Sequence, residues 1–152
     1  MTIIFLDIDG VLRTHLSDLY WSTKLGKPIP DLYYQKKLSK ESVKNLNEIL
    51  FYTRSKIVIT STWRTQLNLQ QLKNVLKENG VTGEVIGTTS IIGNRGDEIE
   101  EWVNRNRIID YVVIDDNIND IINIIPKSKI HKIDNKYGIT TKDVDIILDI
   151  IS

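Results

Sequence analysis

Short apolar runs of strand length recur along the chain, separated by segments with the periodicity of helices. The apolar runs are TIIFL at 2–6, KIVIT at 56–60, EVIGT at 84–88, YVVI at 111–114 and KIHKI at 129–133. The first, second and fourth are almost continuously apolar and rich in Ile and Val, as in strands that are covered on both faces. The pattern therefore predicts five strands of a parallel sheet.

Between these runs, apolar residues recur every three or four positions, as on one face of an amphipathic helix. Helices are predicted over 39–53, 68–80, 96–105, 117–125 and 139–151. Ser39 is placed to cap the first helix, Gly80 to end the second, and Thr140 with Asp143 to form a capping box on the last. Alternating strands and helices predict an α/β fold, a Rossmann-like three-layer sandwich with a central five-stranded parallel sheet.

One connection is longer than this scheme needs. Residues 12–40 separate the first strand from the helix at 39–53, and they contain Pro28 and Pro30. Its aromatic residues argue against disorder; they include Tyr20, Trp21, Tyr33 and Tyr34. We predict one domain over 1–152, in which 12–40 is a small cap or flap that covers the site without forming a core of its own.

Two acidic pairs follow two of the predicted strands. Asp7 and Asp9 are two residues apart, so on an extended backbone they face the same side, and Asp115 with Asp116 follows YVVI. Ligands of open parallel sheets bind at the carboxyl ends of the strands, where these side chains would converge. Clustered carboxylates repel one another, and a hard divalent cation with oxygen ligands, most simply Mg²⁺, relieves the repulsion.

Composition and charge narrow the function classes. The 152 residues include 20 basic and 20 acidic side chains, so no global field favours nucleic acid or membrane. The absence of cysteine excludes a disulfide framework, a thiolate metal site and a cysteine nucleophile. Acidic residues by position 7 and the lack of a long apolar run predict a cytoplasmic protein without a signal peptide or membrane segment.

Four motifs, in order, carry a resemblance to a known family. FLDIDGVL, KIVITS, RGDEI and VVIDDNIND resemble the four motifs of the haloacid dehalogenase-like (HAD) superfamily. DIDGVL together with TSTWR is most similar to its small-cap branch, as in the HAD domains of nucleic-acid repair proteins. The resemblance implies a HAD-like fold with a small insertion after the first strand.

The resemblance also implies catalytic roles. Asp7 would attack phosphorus and form an aspartyl-phosphate, and Asp9 would act as the general acid and base. Ser61 would hydrogen-bond the transferring phosphoryl group, with Thr60 as the alternative. Arg95 would supply a fixed positive charge, although the superfamily more often has lysine there.

Binding roles follow from the same motifs. Gly10 would bring backbone N–H groups close to phosphate, and Arg64 would contact substrate phosphate. The implied cofactor is Mg²⁺, held by Asp7, Asp115 or Asp116, and the main-chain carbonyl of Asp9; which of the acidic pair ligates it directly stays open.

The favoured hypothesis is a Mg²⁺-dependent phosphohydrolase, because superfamily ATPases lack the aspartate at the position of Asp9. A phosphotransferase and a non-catalytic phosphate-binding module are the alternatives. A receiver domain fits less well, because its acidic pair and acceptor aspartate lie on different strands. The predicted partner is a phosphorylated substrate, either a nucleic-acid end or a nucleotide. A local basic group in and beside the insertion is consistent with this, namely Lys24, Lys27, Lys36, Lys37 and Lys40.

Overall fold

Five parallel strands form the centre of the molecule. The computed structural model describes residues 1–151, and its strands are β1 (Thr2–Leu6), β2 (Lys56–Ile59), β3 (Val85–Thr88), β4 (Asp110–Asp115) and β5 (Ile130–Lys132). They pair in the order β3–β2–β1–β4–β5, and every neighbouring pair is parallel. The predicted parallel sheet is confirmed, and β1, which carries the first motif, lies in its middle.

Helices cover both faces of the sheet. They are α1 (His15–Leu25), α2 (Lys40–Thr53), α3 (Leu69–Glu78), α4 (Arg95–Asn106) and α5 (Thr141–Ile151). The apolar faces of α2, α3 and α5 pack on one side in the larger core, and α4 packs on the other side with Ile99 and Trp102 against Phe5. The three predicted layers are present.

The predicted caps explain where several helices begin. The Ser39 hydroxyl accepts the Ser42 N–H at 3.2 Å, and Asp143 accepts the Thr140 N–H at 2.8 Å in the expected capping box. Asn94 caps α4, so this helix begins at Arg95, one residue earlier than predicted. The early start places Arg95 on a helix and not in a loop.

The predicted helix at 117–125 is wrong. This segment forms successive turns, in which the N–H of Ile125 bonds the carbonyl of Ile121. At the start of the segment, polar side chains form hydrogen bonds with backbone N–H groups and so compete with the hydrogen bonds of a helix. The Asp115 carboxylate accepts the N–H of Asn117, and the Asn117 side chain accepts the N–H of Asn119. The apolar residues of this segment are still buried, since Ile121 and Ile125 lie in the core beneath α4, but the backbone that carries them forms turns instead of a helix.

Residues 12–40 leave the sheet and return to nearly the same place. The Ser39 N–H donates to the Leu12 carbonyl at 2.7 Å, so the two ends of the segment are joined. Between them lie α1, in which only Ser17 is buried, and a 3₁₀ helix over Tyr33–Gln35. That this segment caps the site stays a prediction. Within residues 1–151, every helix is too short or too polar to span a bilayer.

Candidate active site

The aspartates that follow β1 and β4 meet at the carboxyl edge of the sheet. Phe5 pairs with Val113, and both belong to the core beneath α4. Because side chains alternate along a strand, Asp7 and Asp115, each two residues further on, point to this same face. With Asp116 they form a triad in which one carboxylate oxygen from each residue lies within 4.8 Å of those from the other two, and which we call the acidic edge.

Because most of the acidic edge is buried, ionising all of its carboxyl groups at once is energetically unfavourable. Asp7 is 5% exposed and Asp115 is fully buried. Burial, and next the charge of Asp115, raise the pKa of Asp7 from 3.8 to about 9, although Arg95 opposes the shift. Burial also raises the pKa of Asp115, again against the effect of Arg95. Without a further positive charge, the site therefore holds a proton at neutral pH.

Arg95 supplies one positive charge to the acidic edge. Its Nη1 lies 2.7 Å from Asp115 Oδ2 and 3.4 Å from Asp7 Oδ1. Gly96 allows this approach, because a Cβ there would lie 2.4 Å from the Asp120 carbonyl oxygen, which instead accepts the Gly96 N–H at 3.1 Å. The start of α4 is thus held against the loop that follows β4.

Asp9 lies outside the triad and has its own partners. Its carboxylate accepts hydrogen bonds from Arg13 Nη1 at 3.0 Å and from Trp63 Nε1 at 3.1 Å. Arg13 also donates two hydrogen bonds to Asp18 on α1, at 3.0 and 2.7 Å. Because the Asp9 side chain is 46% exposed while two donors fix it, it has both a defined position and access to solvent.

Gly10 is required by the shape of the turn that follows β1. Its φ of +81° lies in the left-handed region, and a Cβ would lie 2.3 Å from Asp116 Oδ2. Its N–H donates to the Arg13 carbonyl at 2.7 Å. Gly10 thus forms a sharp turn within the chain, and the approach of backbone N–H groups to phosphate stays a prediction.

The register of β2 favours Thr60 over Ser61 as the residue beside the acidic edge. Val58 belongs to the core beneath α4, so Thr60, two residues on, faces the same side as Asp7. The Thr60 Oγ1 is buried and has no hydrogen-bond partner within residues 1–151. The Ser61 hydroxyl instead accepts the Trp63 N–H at 3.2 Å, at the start of a 3₁₀ helix. Thr60, which was the alternative, thus fits the role of the second-motif residue better than Ser61, which was preferred.

Arg64 is not placed to bind substrate phosphate. Its side chain is 6% exposed, and all five of its N–H groups face acceptors of the chain itself. The acceptors, at 2.6–3.5 Å, are the carbonyl oxygens of Thr60, Ser61, Thr89 and Ser90 and the carboxylate of Glu98. Arg64 therefore joins the loop after β2 to α4, and the predicted substrate contact is corrected to an internal one.

Three residues of this region were missed by the sequence prediction: Arg13, Trp63 and Glu98. Arg13 lies four residues after Asp9, and this spacing of opposite charges was a usable signal. Trp63 is fully buried, and its indole N–H donates to Asp9. Nothing in the local pattern marks Glu98, since it lies in a run of acidic residues near the start of a predicted helix, and its neighbours Asp97 and Glu100 are exposed.

The comparisons with known proteins agree with this architecture. A hydrolase of the haloacid dehalogenase-like family from Streptococcus pneumoniae superposes with a TM-score of 0.51 and 18% identity, over 98% of this chain and 90% of that one. At this identity the likeness shows the fold alone. No curated protein matches the chain. A family model described as the HAD domain in Swiss Army Knife RNA repair proteins matches residues 3–144. Because that match spans most of the sequence, the chain belongs to this family of HAD domains.

Proposed function

We propose that this chain is a Mg²⁺-dependent phosphatase that hydrolyses a phosphate monoester through an aspartyl-phosphate on Asp7. The observation that carries the proposal is the acidic edge itself, with Arg95 beside it at the carboxyl ends of β1 and β4. Membership of the HAD family supports hydrolase chemistry on this edge. The intermediate, the metal and the substrate are the parts that need experiments.

The residues of the acidic edge fit Mg²⁺. All the side-chain donors are oxygens, and Mg²⁺ binds hard oxygen ligands. The pKa of Asp7 is raised to about 9 by burial and by Asp115, which is the shift expected where a counter-charge is needed. When bound, Mg²⁺ would neutralise charge on the phosphoryl group and on these carboxylates.

The covalent steps use the first motif. An Asp7 oxygen attacks phosphorus, the bond from phosphorus to the leaving oxygen breaks, and the Asp9 carboxyl group gives that oxygen a proton. The resulting Asp9 carboxylate then takes a proton from water as this water attacks the phosphorus, which releases inorganic phosphate and restores Asp7. Since Asp9 is held by Arg13 and Trp63 and is partly exposed, its carboxyl group has a fixed position that water can reach.

Two further groups would act on the phosphoryl oxygens. Arg95 holds a permanent positive charge near Asp7, which favours both a dianionic substrate and the charged transition state. The unpartnered hydroxyl of Thr60 faces the same side as Asp7 and would donate a hydrogen bond to a phosphoryl oxygen. Both groups are held by the fold, so little reorganisation is needed during the reaction.

A phosphorylated end of a nucleic acid is the proposed substrate class. The family to which the chain belongs is described as the HAD domain in Swiss Army Knife RNA repair proteins, which supports a nucleic-acid substrate. Residues 12–40 include six basic and two acidic residues in a chain of zero net charge, so positive charge is concentrated beside the first motif. A terminal phosphate is a monoester, which is the group that the proposed chemistry cleaves.

The test is a phosphatase screen with Mg²⁺, in which 3′- and 5′-phosphorylated oligonucleotides are compared with small phosphoesters, with a parallel series in EDTA. We expect release of phosphate with Mg²⁺, loss of it in EDTA, and the highest kcat/KM for an oligonucleotide end. Full activity in EDTA would refute the metal mechanism. Much faster turnover of a sugar phosphate than of any oligonucleotide would remove the substrate assignment and leave the phosphatase.

A further inference from the structure

Two neighbouring aromatic rings on α1 are surrounded by lysines. Tyr20 and Trp21 pack edge to face with ring centroids 5.2 Å apart. Lys24 Nζ lies 5.7 Å from the Tyr20 centroid, and Lys40 Nζ lies 5.1 Å from that of Trp21. Lys37 Nζ is 5.9 Å from the Trp21 ring. We call these five residues the aromatic–lysine cluster.

The cluster contains positive charge without a matching negative one. Within residues 1–151, none of its three lysines forms an ion pair with a carboxylate. Lys24 and Lys40 both lie within 6 Å of the same two rings, so their like charges converge. Glu41 lines the adjoining groove, yet it pairs with neither lysine. Converging like charges of this kind favour an anionic ligand.

A groove adjoins the cluster, and a loop that contributes to its lining also approaches the acidic edge. It has a volume of about 500 Å³, and its lining includes Tyr20 and Lys40 together with Lys136 and Tyr137 from the loop before α5. Lys136 Nζ is 5.5 Å from the Tyr137 centroid, which repeats the pairing of a lysine with an exposed ring. The loop that carries these two residues also carries Asn135, whose Cβ is 3.1 Å from the position of a Cβ on Gly10.

We propose that this groove binds a single strand of nucleic acid, and so holds the strand whose terminal phosphate lies at the acidic edge. The inference rests on the proposed function for its substrate. Tyr20 and Tyr137, 48% and 54% exposed, offer rings on which bases can stack, and the lysines neutralise backbone phosphates. An acidic peptide would use the lysines but has no flat bases for the rings, so the combination favours nucleic acid.

The groove is tested by binding and not by turnover. The probe is a labelled single-stranded RNA with hydroxyl groups at both ends, which has no phosphate monoester to react. We expect Lys24→Ala/Lys40→Ala to lower the slope of log affinity against log salt by about 1.4, which corresponds to two lost phosphate contacts. We expect Tyr20→Ala to weaken binding by at least about 5-fold through lost stacking.

The matched control is Lys127→Ala/Lys129→Ala. It removes two lysines that precede β5, at the amino ends of the strands and so opposite the acidic edge. Lys129 Nζ also lies 5.3 Å from an aromatic centroid, that of Tyr111. We expect this control to keep the affinity and the salt slope of the wild type. All groove variants should keep the wild-type kcat for a small phosphoester, because none of these residues belongs to the acidic edge.

The outcomes separate the two proposals. Equal affinity and salt slope for the groove variants and the wild type would overturn the groove, whatever the phosphatase does. An effect of the lysines without one of Tyr20, together with equal competition by polyglutamate, would also overturn it in favour of a site for acidic polymers. If the RNA binds as expected but no phosphate monoester is ever hydrolysed, the groove stands and the proposed function fails.

Discussion

Two charged regions of this molecule differ in whether their charged groups have partners of opposite sign. At the acidic edge, the carboxylates are buried and Arg95 lies within 3.4 Å of Asp7. In the aromatic–lysine cluster, exposed ammonium groups gather around rings without a carboxylate partner among residues 1–151. Buried charges are screened little by salt, whereas exposed ones are screened strongly. The first region is therefore suited to fixing reacting groups, and the second to salt-dependent attraction of a ligand.

The largest expected effect is at the acidic edge. Asp7→Asn keeps the size of the side chain but removes the attacking oxygen anion, so kcat should fall at least about 100-fold. Steady-state kinetics with a small phosphoester measure the loss, and circular dichroism checks that the fold survives. A variant that retains more than about a hundredth of the wild-type rate would show that another residue is the nucleophile.

A second change at the same edge separates the two aspartates of the first motif. Asp9→Asn should lower kcat by about 100-fold or more, because a carboxamide cannot transfer the protons. With a good leaving group, the phosphoenzyme should accumulate, since attack by water is slowed. Acid quench and mass spectrometry would detect an added phosphoryl group on Asp7. A slow variant in which this group is never found would argue against the assigned role of Asp9.

The buried pair behind the acidic edge should be sensitive to removal of one partner. Arg64→Met leaves Glu98 buried with only the Ile92 N–H as a hydrogen-bond partner among residues 1–151, so the free energy of unfolding should fall by about 3–5 kcal/mol. Arg64→Met/Glu98→Met should recover part of this loss. Urea denaturation of Arg64→Met, of Glu98→Met and of the double variant measures the coupling between the two residues. Additive losses would mean that the pair does not act as a unit.

The pKa of Asp7 predicts how stability depends on pH. Because this pKa is about 9 in the folded protein and 3.8 in the unfolded chain, the folded state holds an extra proton between these values. The metal-free protein should therefore lose stability as pH rises from about 4 to 9, and Mg²⁺ should restore it. At pH 8 without metal, Asp7→Asn should raise Tm by a few degrees, on the order of 2–4 °C per kcal/mol.

The control for this pH dependence is Asp31→Asn, which changes an exposed carboxylate in the insertion. It should leave the slope of Tm against pH as in the wild type. Thermal melts in EDTA at several pH values provide the comparison. A wild-type Tm that stays constant or rises over this pH range would contradict the assignment of the proton to Asp7.

The smallest effects are expected in the aromatic–lysine cluster. Lys24→Met and Lys40→Met remove exposed charges that have no carboxylate partner among residues 1–151, so each should change the free energy of unfolding by no more than about 0.5 kcal/mol. A small gain is expected at low salt, where the like charges repel most. A loss of several kcal/mol would show that the cluster is structural.

Sequence patterns predicted the parts of this molecule that depend on regular repetition. The five strands and the convergence of Asp7 with Asp115 and Asp116 follow from apolar runs that end in acidic residues. Helix caps were predictable too, because a side chain such as that of Ser39 bonds a backbone N–H only three residues away. These features are local in the sequence, or they follow from the common direction of parallel strands, whose carboxyl ends lie at one edge of the sheet.

Features that depend on contacts between distant segments were not predictable. Arg64 is 34 residues from Glu98 in sequence, and only the packed loop brings the two together. The choice between Thr60 and Ser61 depends on where β2 ends, and a shift of one residue reverses the face of the sheet. Asx turns replaced the helix at 117–125, although its apolar spacing was helical.

The hydrogen bond that joins Ser39 to Leu12 makes the intervening segment exchangeable. Because the chain leaves and re-enters the fold at one point, residues between these ends can be shortened, lengthened or replaced without moving β1 or α2. The exceptions lie at the two ends of the segment: Arg13 holds Asp9, Asp18 bonds Arg13, Tyr33 packs on Trp63, and Leu38 is in the core. A library of loops grafted between positions 19 and 32 would therefore vary what the protein recognises while the reacting groups stay in place.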